Sequence, residues 1–239
     1  MSKYKAILFD LDDTLIDNDE SIKYAIFDIY HKIGIPCNEE NFNKWKQFDT
    51  DYWHEWESGN MPIPSWASTL EQRINYLRSN RFIHFFKQYN LTYEESLKLN
   101  EYYISLLSKN IIPIDGSKQV VKELSKNYEL IISTNGPKNA AQEKVKAAKI
   151  EQYIDKIIAS GECGFSKPMP GFFKYAIAKM NTKERHKMLI VGDSLTTDIL
   201  GGIYNGIDSC WFNPNHKENT LGMSPTYEIN HLKQLVKKL

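Results

Sequence analysis

The chain has 239 residues, and its 30 basic and 30 acidic side chains leave no formal net charge. A neutral balance provides no whole-molecule field to draw the protein onto nucleic acid or an anionic membrane, so neither is expected as a partner. Any recognition of phosphate must come from a few local groups. Three widely spaced cysteines (Cys37, Cys163 and Cys210), with no CxxC pair, argue against a disulfide framework or a cysteine zinc site and fit a reducing compartment. The N-terminal stretch MSKYKAILFDLDDTL turns acidic after a short apolar run, unlike a secretory or transit segment. No run approaches the ~18 apolar residues of a membrane span. A cytoplasmic location is expected.

In chain order, the first predicted strand is Ala6-Ile7-Leu8-Phe9, apolar on both faces. A long segment without a comparable strand follows. Ile22, Ala25, Ile26, Ile29 and Ile33 repeat with helical spacing, as do Trp45, Phe48, Tyr52 and Trp56. Further helical stretches are expected near 66–77, 81–89 and 92–107. Gly34-Ile35-Pro36, the run 58–62 and Ile112-Pro113 punctuate them. Strands and helices then alternate. Strands are predicted at 130–132, 157–159, 188–191 and, more weakly, 209–212, with helices at 117–125, 139–148, 171–180 and 197–204. Continuous apolar strands separated by helices predict a parallel sheet covered on both faces. The expected architecture is an α/β core, residues 1–16 and 113–239, interrupted after its first strand by an all-helical cap, residues 17–112. The crossings near 16–19 and 108–115 would act as hinges.

Segment 20–109 holds 18 of the 30 aromatic residues. They could form a stacking surface for a flat substrate, with Trp45, Trp53 and Trp56 as candidates. For any single ring, a place in the core of a small helical unit is the better expectation.

The chemistry concentrates in four motifs. Asp10-Leu11-Asp12-Asp13-Thr14 follows the first strand directly, and strand alternation puts Asp10 and Asp12 on one side. Two carboxylates this close favour a divalent cation, or one shared proton, over two bare charges. Asp10 can then be a nucleophile while Asp12 carries a proton. An Asp-rich turn or cap is the plainer alternative. Ser133-Thr134-Asn135-Gly136 ends a second strand, where a hydroxyl and backbone amides before a helix can hold phosphate oxygens; an ordinary strand-to-helix turn would look similar. Gly164-Phe165-Ser166-Lys167-Pro168 offers a lysine that, taken alone, would read as solvated. Gly192-Asp193-Ser194-Leu195-Thr196-Thr197-Asp198 adds hard oxygen ligands of the kind magnesium takes, although Asp198 also suits the start of a helix. Each motif falls at or shortly after the carboxyl end of a predicted strand. In an open parallel sheet those ends form one crevice, which would collect Asp10, Asp12, Thr134, Lys167 and Asp193.

Taken together, these motifs resemble those of the haloacid dehalogenase-like hydrolase superfamily: DLDDT the first, Thr134 the second, Lys167 the third and GDSLTTD the fourth. The resemblance spans the whole chain. It implies a Rossmann-like core, phosphorylation of Asp10, and Asp12 as general acid and base, with Lys167 among the catalytic and substrate-binding groups. An insertion between the first two motifs corresponds to the helical cap type. Within the superfamily the chain is similar to the nucleoside 5'-monophosphatase (pyrimidine nucleotidase) branch. That similarity rests on Ile132 to Gly136, Asp198 to Ile203, and Cys210-Trp211-Phe212-Asn213 with His216 nearby; Pro137 departs from the branch pattern.

The resulting expectation is magnesium held by Asp10, the backbone carbonyl of Asp12 and Asp193, with Asp198 supporting from behind. Thr134 and the amide of Asn135 would hold the phosphoryl group of a small phosphorylated metabolite, a nucleoside monophosphate. A phosphatase of phosphoglycolate or a sugar phosphate is an alternative, and a phosphomutase needs the same core. Asp12 argues against a dehalogenase, which needs no second acid, and no lysine of the cap is placed distinctively for the imine of a phosphonatase. A non-catalytic phosphate sensor or assembly subunit is the alternative outside enzymes.

Overall fold

The computed structural model describes residues 3–239. In chain order the elements begin with strands β1 (Ala6–Phe9) and β2 (Ile16–Asp17). Helices α1 (Asn18–Ile33), α2 (Glu39–Glu57), α3 (Leu70–Phe85) and α4 (Tyr93–Leu106) follow. The chain continues through β3 (Ile112–Pro113), α5 (Ser117–Leu124), β4 (Glu129–Thr134), α6 (Lys138–Ala147), β5 (Lys156–Ala159), α7 (Ser160–Cys163) and α8 (Pro170–Lys179). It ends with β6 (Met188–Gly192), α9 (Leu200–Asn205), β7 (Asp208–Phe212), β8 (Tyr227–Ile229) and α10 (Lys233–Lys238). Two compact units result, one from residues 1–19 and 111–239, the other from 20–110.

The first unit is a Rossmann-like α/β fold. Its parallel sheet has six strands in the order β5-β4-β1-β6-β7-β8. Strand alternation divides the apolar side chains between two layers. Ile7 and Phe9 of β1 face one way with Leu130, Ile132, Leu189 and Val191, packed against α5, α6 and α10. Ala6 and Leu8 face the other way with Ile131, Met188 and Ile190, packed against Phe172, Phe173 and Ala176 of α8. β1 lies between β4 and β6, where the strand order reverses, and Phe9 is in register with both Ile132 and Val191. Such a switch point leaves a crevice beyond the strand ends. β2 and β3 form a separate antiparallel ribbon in the same unit. β8 lies outside the predicted strands: three residues with the mixed pattern Tyr-Glu-Ile carry little periodicity, and its place comes from pairing with β7.

The second unit contains the four long helices. Its core combines Ala25, Ile26, Ile29 and Tyr30 of α1 with Phe42 and Trp45 of α2, Phe82 of α3, and Tyr103 and Leu106 of α4. Trp45 is fully buried, its ring 5.3 Å from Phe82 and 4.9 Å from Phe85. A base cannot stack on a ring that is already enclosed, so Trp45 drops out as a substrate contact. The stretches expected near 66–77 and 81–89 also need correction. They are one helix, α3, followed by a short 3-10 turn, Lys87–Tyr89. Thr69 caps α3 reciprocally with Gln72, a stronger start signal than the apolar Trp66 that precedes it. Among the described residues, no helix is long and apolar enough to cross a membrane.

Gly202 lets α9 lie close against the sheet: a Cβ there would stand 2.8 Å from Ile190 Cγ2 and 3.1 Å from the Ile207 carbonyl oxygen. Gly202→Ala should therefore destabilise the protein by about 1–3 kcal/mol, read as a lower denaturant midpoint. An unchanged midpoint would show that the sheet yields there without cost.

Candidate active site

β1 delivers Asp10 to the strand ends. Its amide continues the ladder by donating to the Val191 carbonyl at 2.8 Å, and its carboxylate is nearly enclosed. Oxygens of Asp10, Asp193 and Asp198 all lie within 4.8 Å of one another. Lys167 reaches the cluster from the loop before α8. Its buried ammonium donates to Asp10 Oδ1 at 2.6 Å, Asp198 Oδ1 at 2.6 Å and the Ser133 carbonyl at 2.8 Å. An ammonium has three donors, and these partners use all of them.

The loops after the strands are held by specific bonds. Asn135 clamps the backbone of Lys167, accepting its N–H at 2.8 Å and donating to its carbonyl at 3.1 Å. The Asn135 side chain thus places the lysine. Thr134 is buried, and its Oγ1 accepts the Gly136 amide at 2.9 Å. Asp193 is fixed through its backbone. Its N–H donates to Thr14 Oγ1 at 3.1 Å, and its carbonyl accepts the Trp211 indole N–H at 2.9 Å. Asp198 lies in a π-helical turn, Leu195–Ile199, entered through a Ser194 cap. A side chain on Gly192 would collide with the Asp198 carboxyl group, so the strand end must be glycine for Asp198 to pack there.

Sequence reasoning assigned no role to Thr14 or Trp211 as supports of Asp193, nor to Lys144. The Nζ of Lys144 lies 2.5 Å from Asp12 Oδ1. Thr14 sits inside the first motif and Trp211 at the end of a strand, so position offered a signal for both. A lysine inside an amphipathic helix offers none.

The cluster is short of positive charge. Burial raises the proton affinity of Asp10; Lys167 opposes this, while Asp198, Asp193 and Asp12 add to it, and the net direction is strongly upward. Burial and the Asp198 charge push Asp193 up to about 6. Burial and the Asp193 charge push Asp13 up to about 7. For Lys167, burial pulls down, but Asp10 and Asp198 more than offset it and hold the lysine charged. Three hard carboxylates converging on one point, with a single buried ammonium among them, suit a small divalent cation. The sign of the effect on stability follows from linkage. The contribution of a protonated Asp193 is full below about 3.8 and is lost as the pH rises through about 6. In chelator, Asp193→Asn should therefore melt at a higher temperature than the parent at about pH 7.5, and the gain should fade toward pH ~4. A variant less stable than the parent at neutral pH would contradict this account of the cluster.

Known proteins resemble this chain over most of its length. The sequence model of the haloacid dehalogenase-like hydrolases matches residues 4–206. The HAD-hydrolase YfnB of Bacillus subtilis is 30% identical over 98% of this chain and 95% of its own. Pyrimidine 5'-nucleotidase YjjG of Escherichia coli is 28% identical over 98% and 96%. A crystal structure of YfnB bound to magnesium superposes with a TM-score of 0.87, covering 100% of this chain and 99% of that one at 28% identity. With its motifs gathered at the ends of β1, β4 and β6, the chain belongs to the haloacid dehalogenase-like hydrolase family.

Proposed function

We propose that the protein is a magnesium-dependent phosphomonoester hydrolase working through an aspartyl phosphate at Asp10, with a nucleoside 5'-monophosphate as substrate. The observation that carries this reading is the Asp10 carboxylate itself, buried at the switch point, 2.6 Å from the Lys167 ammonium and grouped with Asp193 and Asp198. The nucleotide part of the reading rests on similarity to YjjG and on the nucleotidase-like stretches of sequence.

Asp10, Asp193 and the backbone carbonyl of Asp12 would hold the magnesium, with Asp198 behind them. When bound, the cation offsets charge on the phosphoryl oxygens and makes phosphorus more electrophilic. In the first step a carboxylate oxygen of Asp10 attacks phosphorus and the ester P–O bond breaks. Asp12 gives its proton to the departing alkoxide. In the second step water attacks phosphorus, Asp12 takes a proton from it, and the bond to Asp10 breaks to release inorganic phosphate. Lys167, fully charged, stabilises the phosphoryl oxygens throughout. Thr134, whose Oγ1 accepts the Gly136 amide, keeps its hydroxyl proton to donate to one of them.

Asp10→Asn should reduce turnover to background with the fold retained, and no phosphoenzyme should be trapped on acid quench. Normal turnover in that variant would remove Asp10 as nucleophile. Asp12→Ala should lower kcat by about 10²–10⁴-fold. A loss confined to KM would contradict its acid–base role. Substrate choice is read from release of inorganic phosphate, with and without magnesium, across purine and pyrimidine monophosphates, sugar phosphates and phosphoglycolate. Pyrimidine nucleotides should lead. A strong preference for another phosphometabolite, with nucleotides uniformly poor, would overturn the nucleotidase reading and leave the hydrolase intact.

A further inference from the structure

The buried face of α6 carries an anomaly. Ala140, Ala141, Lys144 and Val145 are its buried residues, and Lys144 is only 4% exposed. Keeping an ammonium out of water is costly unless it is paired. Its partners are Asp12 Oδ1 at 2.5 Å and Asn18 Oδ1 at 3.2 Å. The partners are also anchored. Asn18 donates its backbone N–H to Asp13 Oδ1 at 3.0 Å, so the lysine bridges two points of the segment that follows β1. The other oxygen of Asp12 points elsewhere. A Cβ on Gly136 would lie 3.8 Å from Asp12 Oδ2 and 3.1 Å from Thr134 Oγ1. Oδ2 therefore faces the turn after β4, where the phosphoryl group is expected, while Oδ1 is held by Lys144.

We infer that Lys144 is a positioning residue for the reaction. It grips one oxygen of Asp12 so that the other is aimed at the leaving group and then at the attacking water. This deepens the hydrolase reading and rests on Asp12 acting as acid and base. Two arms of a carboxylate can exchange by rotation about a single bond, and an ungripped Asp12 would spend part of its time misdirected. A lysine serving only to fill and pair would behave differently. Removing the lysine alone leaves the Asp12 carboxylate without its partner, which is costly where the remaining charge is buried, but Asp12 is partly open to water, which limits that cost, so Lys144→Met is expected to fold.

The test compares wild type, Lys144→Met, Lys144→Arg, Asp12→Ala and the Asp12→Ala/Lys144→Met double variant, each with magnesium, on uridine 5'-monophosphate and p-nitrophenyl phosphate. Folding is followed by circular dichroism. Lys144→Met should lose about tenfold or more in kcat on the nucleotide, with KM moved by no more than about twofold. Its loss on the nitrophenyl ester, whose leaving group needs little protonation, should be smaller. Lys144→Arg should recover most of the rate. The double variant should be no slower than Asp12→Ala alone, because the lysine acts only through that carboxylate.

Wild-type kcat in Lys144→Met alongside a crippled Asp12→Ala would overturn the inference and leave the hydrolase reading standing. So would a rise in KM at constant kcat, which would make Lys144 a substrate-binding group, or a further loss in the double variant. An Asp12→Ala enzyme as fast as wild type would sink the acid–base reading and this inference together. If Lys144→Met fails to fold, full activity in a folded Lys144→Ala would count against the inference in the same way.

Discussion

Lys167 holds its charge in a place with almost no water, and it can do so because each of its three protons has an oxygen waiting. Asp10 comes from the end of β1, the Ser133 carbonyl from β4, and Asp198 from the turn after β6. One ammonium thus draws together three segments that are distant in sequence, and Asn135, two residues beyond Ser133, fixes the lysine's own backbone. Removing Lys167 would leave two buried carboxylates uncompensated, a far larger penalty than losing an exposed ion pair. Such a constraint trades adaptability for a defined geometry. The acidic cluster also carries more negative charge than one lysine can balance, which keeps it receptive to a cation and to the protons that the reaction must move.

The sheet makes this arrangement possible. β1 at the switch point has neighbours on both sides in register, so the residue after Phe9 emerges between the ends of β4 and β6. Any strand order that moved β1 to an edge would separate Asp10 from one of its partners. The backbone bonds on Asp193, from Thr14 on one side and Trp211 on the other, extend the same logic to a third strand end. Side chains in the site are oriented largely by groups that would never touch a substrate, which is how a precise constellation is kept on loops.

Much of this could be read in the sequence, for a physical reason. Strands buried on both faces must be apolar throughout, so β1, β4, β5, β6 and β7 stand out as runs, and the acidic motifs mark where they end. Other features had no such signature. β8 is short and mixed because it lies at the sheet edge, where one side is free of the demands of pairing. The start of α3 was obscured by Trp66, whose hydrophobicity suggested a helix that the Thr69 cap begins later. Nothing in the sequence around Asn135 shows that its side chain matches the two backbone groups of Lys167, because that partner lies 32 residues further on. Lys144 was the hardest to find. Helical periodicity describes a buried stripe by its apolar members, and a lysine within it is recognised only when the carboxylate opposite comes into view.

Trp211 has a further consequence. The other four tryptophans, at 45, 53, 56 and 66, all lie in the helical unit, while this one sits in the α/β unit with its indole N–H bonded to the Asp193 carbonyl. Indole emission responds to the field and hydrogen bonding around the ring. With the four helical-unit tryptophans replaced by phenylalanine, all tryptophan emission would come from the ring bonded to Asp193, giving the centre a built-in optical gauge that needs no dye and no turnover.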